Sequence, residues 1–211
     1  MSKTNININF QHNVPLSSLT TIKLGGKAKL LCICKTTDEL KACLIYAKTK
    51  NLPIQVIGGG SNIIFPDEGF DGIVIKNDIK GIKFNELEKD LIEVTSGAGE
   101  NWDDFAKLCR DNNLTGVECL SGIPGCVGAT PIQNVGAYGQ EVSDAIVSVE
   151  AIDRLTLKTV EFTNEECKFG YRQSRFKKED KDKYVIIKVT YRLKKFTEPE
   201  IKYPELKKMV R

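Results

Sequence analysis

Apolar positions in the first third of the chain follow the pattern of a strand, a helix and further strands. The short apolar run Ala28–Cys34 follows two glycines and predicts a buried strand. Thr37 is predicted to cap the helix that follows it. In that helix, apolar residues recur at a spacing of three and four: Leu40, Cys43, Leu44 and Ala47. Pro53 ends the helical segment, so a new element is expected after it.

The segment after Pro53 reads IQVIGGGSNIIF, with an apolar, β-branched run on each side of three glycines. This pattern predicts a strand, a glycine turn and a second strand. Gly72–Lys76 is a further strand candidate.

A second unit is predicted to begin near Asp90, where the run LIEVTSGAG is typical of a strand. Glu100–Asn112 is predicted to be a helix, because its apolar residues form one face: Trp102, Phe105, Ala106 and Cys109. A glycine-rich segment, Gly116–Gly139, comes next. The runs VSVEAIDRL and KTVEFT are predicted to pair as strands, and Lys183–Leu193 to form a longer strand.

Composition is that of a globular protein: 211 residues, 41% hydrophobic and 28% charged. A net charge of +3 is too mild to indicate a nucleic-acid-binding protein. No apolar run approaches the roughly 18 residues that span a bilayer, and the first residues lack the pattern of a signal peptide. We therefore expect a soluble, cytoplasmic protein without a membrane or nucleic-acid partner.

The cysteines and the histidine exclude two classes of site. There are seven cysteines, an odd number, and none forms a C-x-x-C pair. Cys32 and Cys34 are expected on one side of a strand, where core packing is more typical than a disulfide. His12 is the only histidine. A zinc site or a Ser-His-Asp triad therefore has almost nothing to be built from, and we expect no metal.

The glycine turn of the first unit consists of Gly58, Gly59, Gly60, Ser61 and Asn62. Its backbone N–H groups can form an anion cradle, to which the serine and asparagine add donors, and a dinucleotide diphosphate would suit it. A plain tight turn is the alternative, for which two glycines would suffice. The sequence alone leaves both interpretations open.

Ser121–Gly139 carries a stronger signal. It holds five of the 17 glycines and two of the seven prolines. A long loop with little regular structure usually has a function in a compact domain. Few side chains and fixed turns let backbone amides lie against a flat ligand such as a cofactor ring. A loop that merely wraps the sheet is the alternative.

Phe169–Ser174 places Tyr171 next to Arg172. A guanidinium is a planar, permanently charged group that suits a carboxylate or a phosphate. Taken alone, this pair is weak evidence, since most arginines are surface residues.

Together, four segments resemble the UDP-N-acetylenolpyruvoylglucosamine reductase family: VIGGGSNIIF, SGAGENWDDFAKLC, GVECLSGIPGCVGATPIQNVGAYGQEV and ECKFGYRQSRFK. The resemblance runs from residue 20 to residue 206. It implies an α+β fold, an FAD-binding domain of the PCMH or vanillyl-alcohol oxidase type, with two α/β subdomains and the flavin between them. The implied boundaries are an N-terminal segment 1–19, subdomains of about 20–85 and 86–195, and the start of a truncated substrate-binding domain at 196–211.

The resemblance also implies roles for individual residues. It assigns the FAD diphosphate to Gly58, Gly59, Gly60, Ser61 and Asn62. It assigns the flavin and its surroundings to Gly122, Pro124, Gly125, Gly128, Gly136, Ala137 and Gly139. Arg172 matches an arginine that grips the enolpyruvyl carboxylate and stabilises the intermediate, with Tyr171 beside it. Substrate contacts are implied for Tyr203, Gln133 and Asn134.

The implied reaction uses NADPH and FAD to reduce UDP-N-acetylglucosamine enolpyruvate to UDP-N-acetylmuramate, a peptidoglycan precursor. The FAD is expected to be non-covalent: no histidine lies near Gly58–Asn62, and packing is a better explanation for Cys126 than a thioether.

The sequence departs from the family at its end. The family has a third domain that supplies a protonating serine, a late glutamate and most UDP contacts, whereas this sequence ends at Arg211. The resemblance therefore leaves two alternatives. One is a truncated reductase. The other is an FAD-binding module that needs a separate partner chain for the acid residue.

Overall fold

The computed structural model of the protein describes residues 8–88 and 90–195, together with Glu205 and Lys208. The chain divides into two compact units, Met1–Lys80 and Gly81–Arg211. The domain boundaries expected near residues 85 and 195 stay predictions. Most of 196–211, the expected start of a further domain, lies outside the described residues.

The first unit is a four-stranded sheet with one helix. Its strands in chain order are β1 (Phe10–Pro15), β2 (Lys27–Cys34), β3 (Ile54–Ile57) and β4 (Phe70–Asn77), and its helix is α1 (Thr37–Lys50). The spatial order is β1-β2-β4-β3, in which β4 is parallel to both β2 and β3 while β1 is antiparallel to β2. The predicted strand at Ala28–Cys34 and the strand at Gly72–Lys76 are both confirmed.

Helix α1 is confirmed, but its capping residue is Thr36 and not Thr37. The Thr36 hydroxyl accepts from the Glu39 N–H at 3.1 Å, while the Glu39 carboxylate accepts from the Thr36 N–H at the same distance. This reciprocal pair satisfies N–H groups that the first turn of a helix leaves open. Two adjacent threonines offer the same cap chemistry, and the glutamate three residues after Thr36 decides between them.

The second strand predicted after the glycine turn is wrong. Residues 62–65 have no strand structure, and the next strand begins at Phe70. Phe65 is buried in the core of this unit, and the Pro66 carbonyl accepts from the N–H groups of Gly26 and Gly69 at 2.9 and 3.0 Å. The apolar run therefore anchors a loop to the core, and Pro66 has no N–H with which to continue a ladder.

The second unit is built on a six-stranded antiparallel sheet. Its principal elements are β5 (Ile82–Glu88), β6 (Leu91–Gly97), α2 (Trp102–Asp111), β10 (Ile146–Asp153), β11 (Thr159–Thr163) and β12 (Tyr184–Lys195). The order is β11-β10-β12-β6-β5. The short strand β7 (Leu114–Thr115) pairs with β12 in the same sheet. The strands β8 (Gly136–Ala137) and β9 (Gln140–Glu141) form a separate two-stranded sheet. The predicted pairing of β10 with β11 is confirmed.

Aromatic side chains form the centre of the second unit's core. Trp102 and Phe105 lie on the predicted face of α2, and their rings lie 5.9 and 5.0 Å from the ring of Tyr191 on β12. All three are buried. Burial raises the pKa of Tyr191, whose hydroxyl is within 3.0 Å of the Thr130 hydroxyl. The core therefore reaches from the sheet to the glycine-rich segment through one buried hydrogen bond.

Among the longer strands, β1 and β5 have no counterpart among the sequence predictions. Both are edge strands in their sheets and rich in polar residues. An edge strand needs no continuous apolar run, so hydrophobic pattern alone does not reveal it. Among the described residues, no helix is long and apolar enough to cross a membrane.

Candidate functional site

The glycine turn of the first unit packs tightly against the loop after β1. Gly60 is buried, and its φ of +70° lies in the left-handed region. A Cβ at this position would lie 1.9 Å from the Leu19 carbonyl oxygen, far inside van der Waals contact. The Gly60 carbonyl in turn accepts from the Thr21 N–H at 3.1 Å. No side chain can replace glycine here without moving backbone.

The same turn presents hydrogen-bond donors. Gly59 is exposed, and within the described part of the chain neither its N–H nor that of Gly60 donates a hydrogen bond. The half-buried Ser61 and the exposed Asn62 follow directly, and Gly58 precedes. Backbone N–H groups grouped in a turn form an anion-binding concavity. Close packing therefore accounts for Gly60, and the diphosphate site at this turn stays a prediction.

In the second unit, helix α2 fixes the start of the long glycine segment. The Asp103 carboxylate accepts from the Gly122 N–H at 2.6 Å, and the Trp102 N–H donates to the Gly125 carbonyl at 3.1 Å. The Trp102 indole N–H donates to the Leu120 carbonyl at 2.8 Å. Backbone groups that the sequence alone would offer to a ligand are thus partly used to hold the loop, with Pro124 between the two attached glycines.

Gly128 belongs to this segment for a steric reason. A Cβ on Gly128 would lie 2.5 Å from the Ala98 Cβ, and the Gly128 N–H donates to the Ala98 carbonyl at 2.9 Å. Ala98 directly follows β6, so the segment lies against the end of that strand. The glycine permits the close approach.

Arg172 occupies a strained position in a tight turn. The N–H and carbonyl of Gly170 exchange hydrogen bonds with those of Gln173, both at 3.1 Å, which leaves Tyr171 and Arg172 as the two central residues. The φ of Arg172 is +54°, a conformation that favours glycine or asparagine. An arginine at such a place is costly, and residues held in rare conformations cluster at functional sites. Tyr171 is 83% exposed.

Three hydrogen bonds join this turn to the glycine segment. The Arg172 guanidinium donates to the Gly136 carbonyl at 2.7 Å, and the Ser174 hydroxyl donates to the Ile132 carbonyl at 2.6 Å. The Asn134 amide donates to the Gly170 carbonyl at 3.2 Å. The bond to Gly136 orients one guanidinium nitrogen and leaves an exposed, charged fork. The arrangement can therefore bind a carboxylate in a fixed direction.

Asn134 is hydrogen-bonded both to the Arg172 turn and to the residues that follow the glycine segment. It is completely buried, with a φ of +45°. Besides the Gly170 carbonyl, its amide donates to the Glu141 carboxylate at 2.7 Å, and its oxygen accepts from the Ser143 N–H at 3.1 Å. These bonds give Asn134 a positioning role, and the implied contact with substrate stays a prediction.

The structure brings together most residues that the resemblance places around the substrate. Arg172 and Tyr171 lie on one segment, Gln133 and Asn134 lie on another, and hydrogen bonds connect the two. Gly136, Ala137 and Gly139, which the resemblance assigns to the flavin, continue the second segment. Tyr203 lies outside the described residues. The glycine turn of residues 58–62 belongs to the first unit.

Sequence reasoning missed the residues that hold the turn. Ser174 was within the quoted motif, but nothing in its spacing indicated that its hydroxyl reaches Ile132. Arg175 and Asp180 form an ion pair at 2.6 Å beneath the turn, joined by Lys183 at 3.3 Å. Burial raises the pKa of Asp180, but the hydrogen bonds and charges of Arg175 and Lys183 outweigh it and lower the pKa overall. The sequence alone could not reveal this ion pair, because an arginine and an aspartate five residues apart in a loop occur commonly without contacting each other.

Comparisons with known proteins identify the family of this chain. Residues 28–156 match the family described as the FAD binding domain. A UDP-N-acetylenolpyruvoylglucosamine reductase of Thermobifida fusca is 45% identical over 199 residues, covering 93% of this chain and 55% of that protein. A reductase of the same name from Bdellovibrio bacteriovorus is 40% identical over 200 residues, with coverage of 95% and 59%. The chain thus spans little more than half the length of these relatives.

Solved structures give the same fold. The crystal structure of UDP-N-acetylenolpyruvylglucosamine reductase from Thermus caldophilus matches with a TM-score of 0.70 and 26% identity, over 96% of this chain and 66% of that one. The 6-hydroxy-D-nicotine oxidase of Arthrobacter nicotinovorans matches with a TM-score of 0.66 over 92% of this chain and 44% of that one, at 18% identity, which shows the fold alone. The fold class predicted from sequence is confirmed.

Proposed function

The chain belongs to the FAD binding domain family, and on that premise we propose that it is the FAD-binding part of a UDP-N-acetylenolpyruvoylglucosamine reductase. The proposed reaction takes electrons from NADPH and reduces the enolpyruvyl group of UDP-N-acetylglucosamine enolpyruvate, giving UDP-N-acetylmuramate for peptidoglycan synthesis. The observation that carries the proposal is Arg172, an exposed guanidinium held by the Gly136 carbonyl in a turn that disfavours arginine.

The glycine turn of the first unit is proposed to hold the FAD diphosphate. The N–H groups of Gly59 and Gly60, which donate to no described residue, are suited to phosphate oxygens. Ser61 and Asn62, which the resemblance assigns to the same diphosphate, follow directly in the chain. In the second unit, the glycines that line Gly122–Gly139 are proposed to lie along the flavin. Non-covalent FAD supplies the hydride chemistry when it is bound, and every other contribution comes from the side chains below.

Arg172 is proposed to bind the carboxylate of the substrate and to stabilise charge beside it. Addition of hydride to the vinyl carbon places negative charge on the carbon next to the carboxylate. A guanidinium fixed before the reaction stabilises that charge without reorganising, which is worth on the order of 10² to 10³ in rate per donor. Tyr171, exposed and adjacent, is proposed to contact the substrate, as are Gln133, Asn134 and Tyr203.

We propose that the protein acts in the cytoplasm, because both proposed substrates, NADPH and the sugar nucleotide, are found there. Protonation of the second carbon needs an acid, and a separate chain that carries it is a further proposal. The test below distinguishes a reductase that acts alone from a flavin-binding module that needs this partner.

The experiment has two stages. The purified chain is first mixed with FAD, freed of unbound ligand and examined for yellow colour; acid or heat should release the flavin. The holoprotein is then mixed with NADPH and the enolpyruvyl sugar nucleotide while the nicotinamide absorbance is followed. Substrate-dependent oxidation supports the reductase, and slow oxidation by oxygen alone supports the module. A colourless chain that takes up no FAD would overturn the proposal.

A further inference from the structure

Three cysteines of the first unit converge in its core. Cys32 and Cys34 lie two residues apart on β2 and point to the same side, with their sulfur atoms 3.6 Å apart. Cys43 lies on the buried face of α1, and all three sulfur atoms are within 4.8 Å of one another. Sequence spacing revealed the first two cysteines as neighbours but could not reveal that the helix places a third sulfur beside them.

The cluster is dry. The exposed fractions of Cys32, Cys34 and Cys43 are 2%, 0% and 0%. Hydrogen bonds from Cys34 and Cys43 lower the pKa of the Cys32 thiol, whereas the pKa of Cys43 is raised because it donates to the other two and is buried. The hydrogen bond with Cys32 raises the pKa of Cys34, and burial and the charge of Glu39, the capping carboxylate of α1, raise it further. A site of this kind disfavours the accumulation of negative charge.

These sulfur positions suit one central atom. Three sulfurs around an ion at about 2.3 Å from each lie roughly 4 Å apart, which matches the observed range. Zinc takes four protein ligands in structural sites, and the described residues offer a group of three here. A univalent copper ion bound by three thiolates would leave a net charge of −2 in this apolar core, which is unfavourable. Three sulfur ligands are therefore one fewer than a structural zinc site requires.

We propose that Cys32, Cys34 and Cys43 form a buried three-sulfur site for one trivalent thiophilic atom of the arsenite class. Three thiols displace the three hydroxyl groups of arsenous acid: three S–H and three As–O bonds break, three As–S bonds form, and three water molecules leave. Nothing is oxidised or reduced. The product is electrically neutral, which is the form that an uncharged and water-free core accepts.

Access to the site requires α1 to separate transiently from β2, since no thiol of the cluster reaches the surface. Local opening of this kind is part of native-state dynamics. Binding is therefore slow, and prolonged incubation is needed. Once formed, the site links one helix to one strand, so release is slower still.

The test uses the full chain with sodium arsenite and a phosphine reductant, followed by gel filtration. We expect one arsenic atom per chain by elemental analysis and three sulfur neighbours by X-ray absorption at the arsenic edge. Among the described residues, which include all seven cysteines, this is the one group of three such ligands, so three-sulfur coordination identifies it. Two sulfur neighbours or fewer, or no retained arsenic, would overturn the proposal without any variant.

A matched pair of variants locates the site. Cys43→Ala removes one sulfur from α1, and Cys109→Ala removes a buried thiol from the corresponding face of α2. We expect Cys43→Ala to lower arsenic retention about tenfold or more, in line with the cost of disturbing a metal site, and Cys109→Ala to leave it unchanged. Equal retention by the two variants contradicts the assignment. Circular dichroism checks that both are folded, and neither outcome depends on FAD binding.

Discussion

The two glycine-rich regions of this chain differ in what the backbone N–H groups of their glycines do. In the first unit, Gly60 is needed because backbone packs against it, and the N–H groups of Gly59 and Gly60 donate to no described residue. In the second unit, the Gly122 N–H donates to the Asp103 carboxylate and the Gly128 N–H donates to the Ala98 carbonyl. The first region is the one proposed to bind an anion. The second is a platform tied down by hydrogen bonds so that it can carry an oriented arginine.

The comparison predicts that the first region is the more sensitive to a single methyl group. Gly60→Ala would place Cβ 1.9 Å from the Leu19 carbonyl oxygen in a left-handed residue. We expect a loss of about 4 kcal/mol or more in the free energy of unfolding, from backbone strain and overpacking together. Urea denaturation measures it, and FAD uptake should be lost as well.

The neighbouring Gly59→Ala is the control for Gly60→Ala. Gly59 does not lie in the left-handed region and is exposed. Its substitution should change the free energy of unfolding by less than about 1 kcal/mol. Equal losses in the two variants would show that the turn as a whole, and not the contact with Leu19, makes glycine necessary.

The sequence predicted the elements of this fold better than the site. Apolar spacing identified β2, α1, α2 and β12, because each buries a regular face. It could not reveal that Asn62–Phe65 is a loop, since an apolar run that anchors a loop has the same composition as a strand. The resemblance supplied Arg172 and Gly136 as separate positions. The hydrogen bond between them, and the left-handed turn, depend on the folded backbone.

The second region should lose function before it loses structure when its arginine is changed. Arg172→Lys keeps the charge but removes the planar fork, and the bond to Gly136 loses its geometry. We expect substrate-dependent NADPH oxidation to fall by about 100-fold or more, with flavin content unchanged. Lys178→Arg, an exposed exchange nearby, should leave the rate unchanged. Equal rates for Arg172→Lys and the parent chain would remove Arg172 from the mechanism.

Asn134 tests whether the second region depends on its internal hydrogen bonds. Asn134→Ala leaves the Ser143 N–H and the Gly170 carbonyl without their partner in the interior, and should cost about 3 kcal/mol in the free energy of unfolding. Asn113→Ala is the matched control, because Asn113 has a similar φ of +56° but is exposed. If both variants lose the same stability, left-handed strain and not hydrogen bonding is responsible.

The ion pair beneath the Arg172 turn predicts a pH dependence. The pKa of Asp180 is lowered in the folded state, so its contribution is present above the pKa of the unfolded chain, about 3.9, and is lost as the pH falls through the folded value. Asp180→Asn should cost about 2 kcal/mol in the free energy of unfolding near pH 7. The difference from the parent chain should narrow when urea denaturation is repeated near pH 3. If the difference in the free energy of unfolding between Asp180→Asn and the parent chain does not change with pH, the charge of Asp180 does not contribute to stability.

The smallest expected effect separates backbone conformation from space. Gly122 has a φ of +78°, close to that of Gly60, but nothing lies within 4 Å of the position that its Cβ would take. Gly122→Ala should therefore cost only the left-handed strain, about 1 kcal/mol, and its N–H should still reach Asp103. Urea denaturation measures the free energy of unfolding of Gly122→Ala and of Gly60→Ala. The difference between their two losses is the cost of the steric clash with Leu19. A loss in Gly122→Ala as large as that in Gly60→Ala would show that φ alone explains both glycines, and the two regions would no longer differ in this respect.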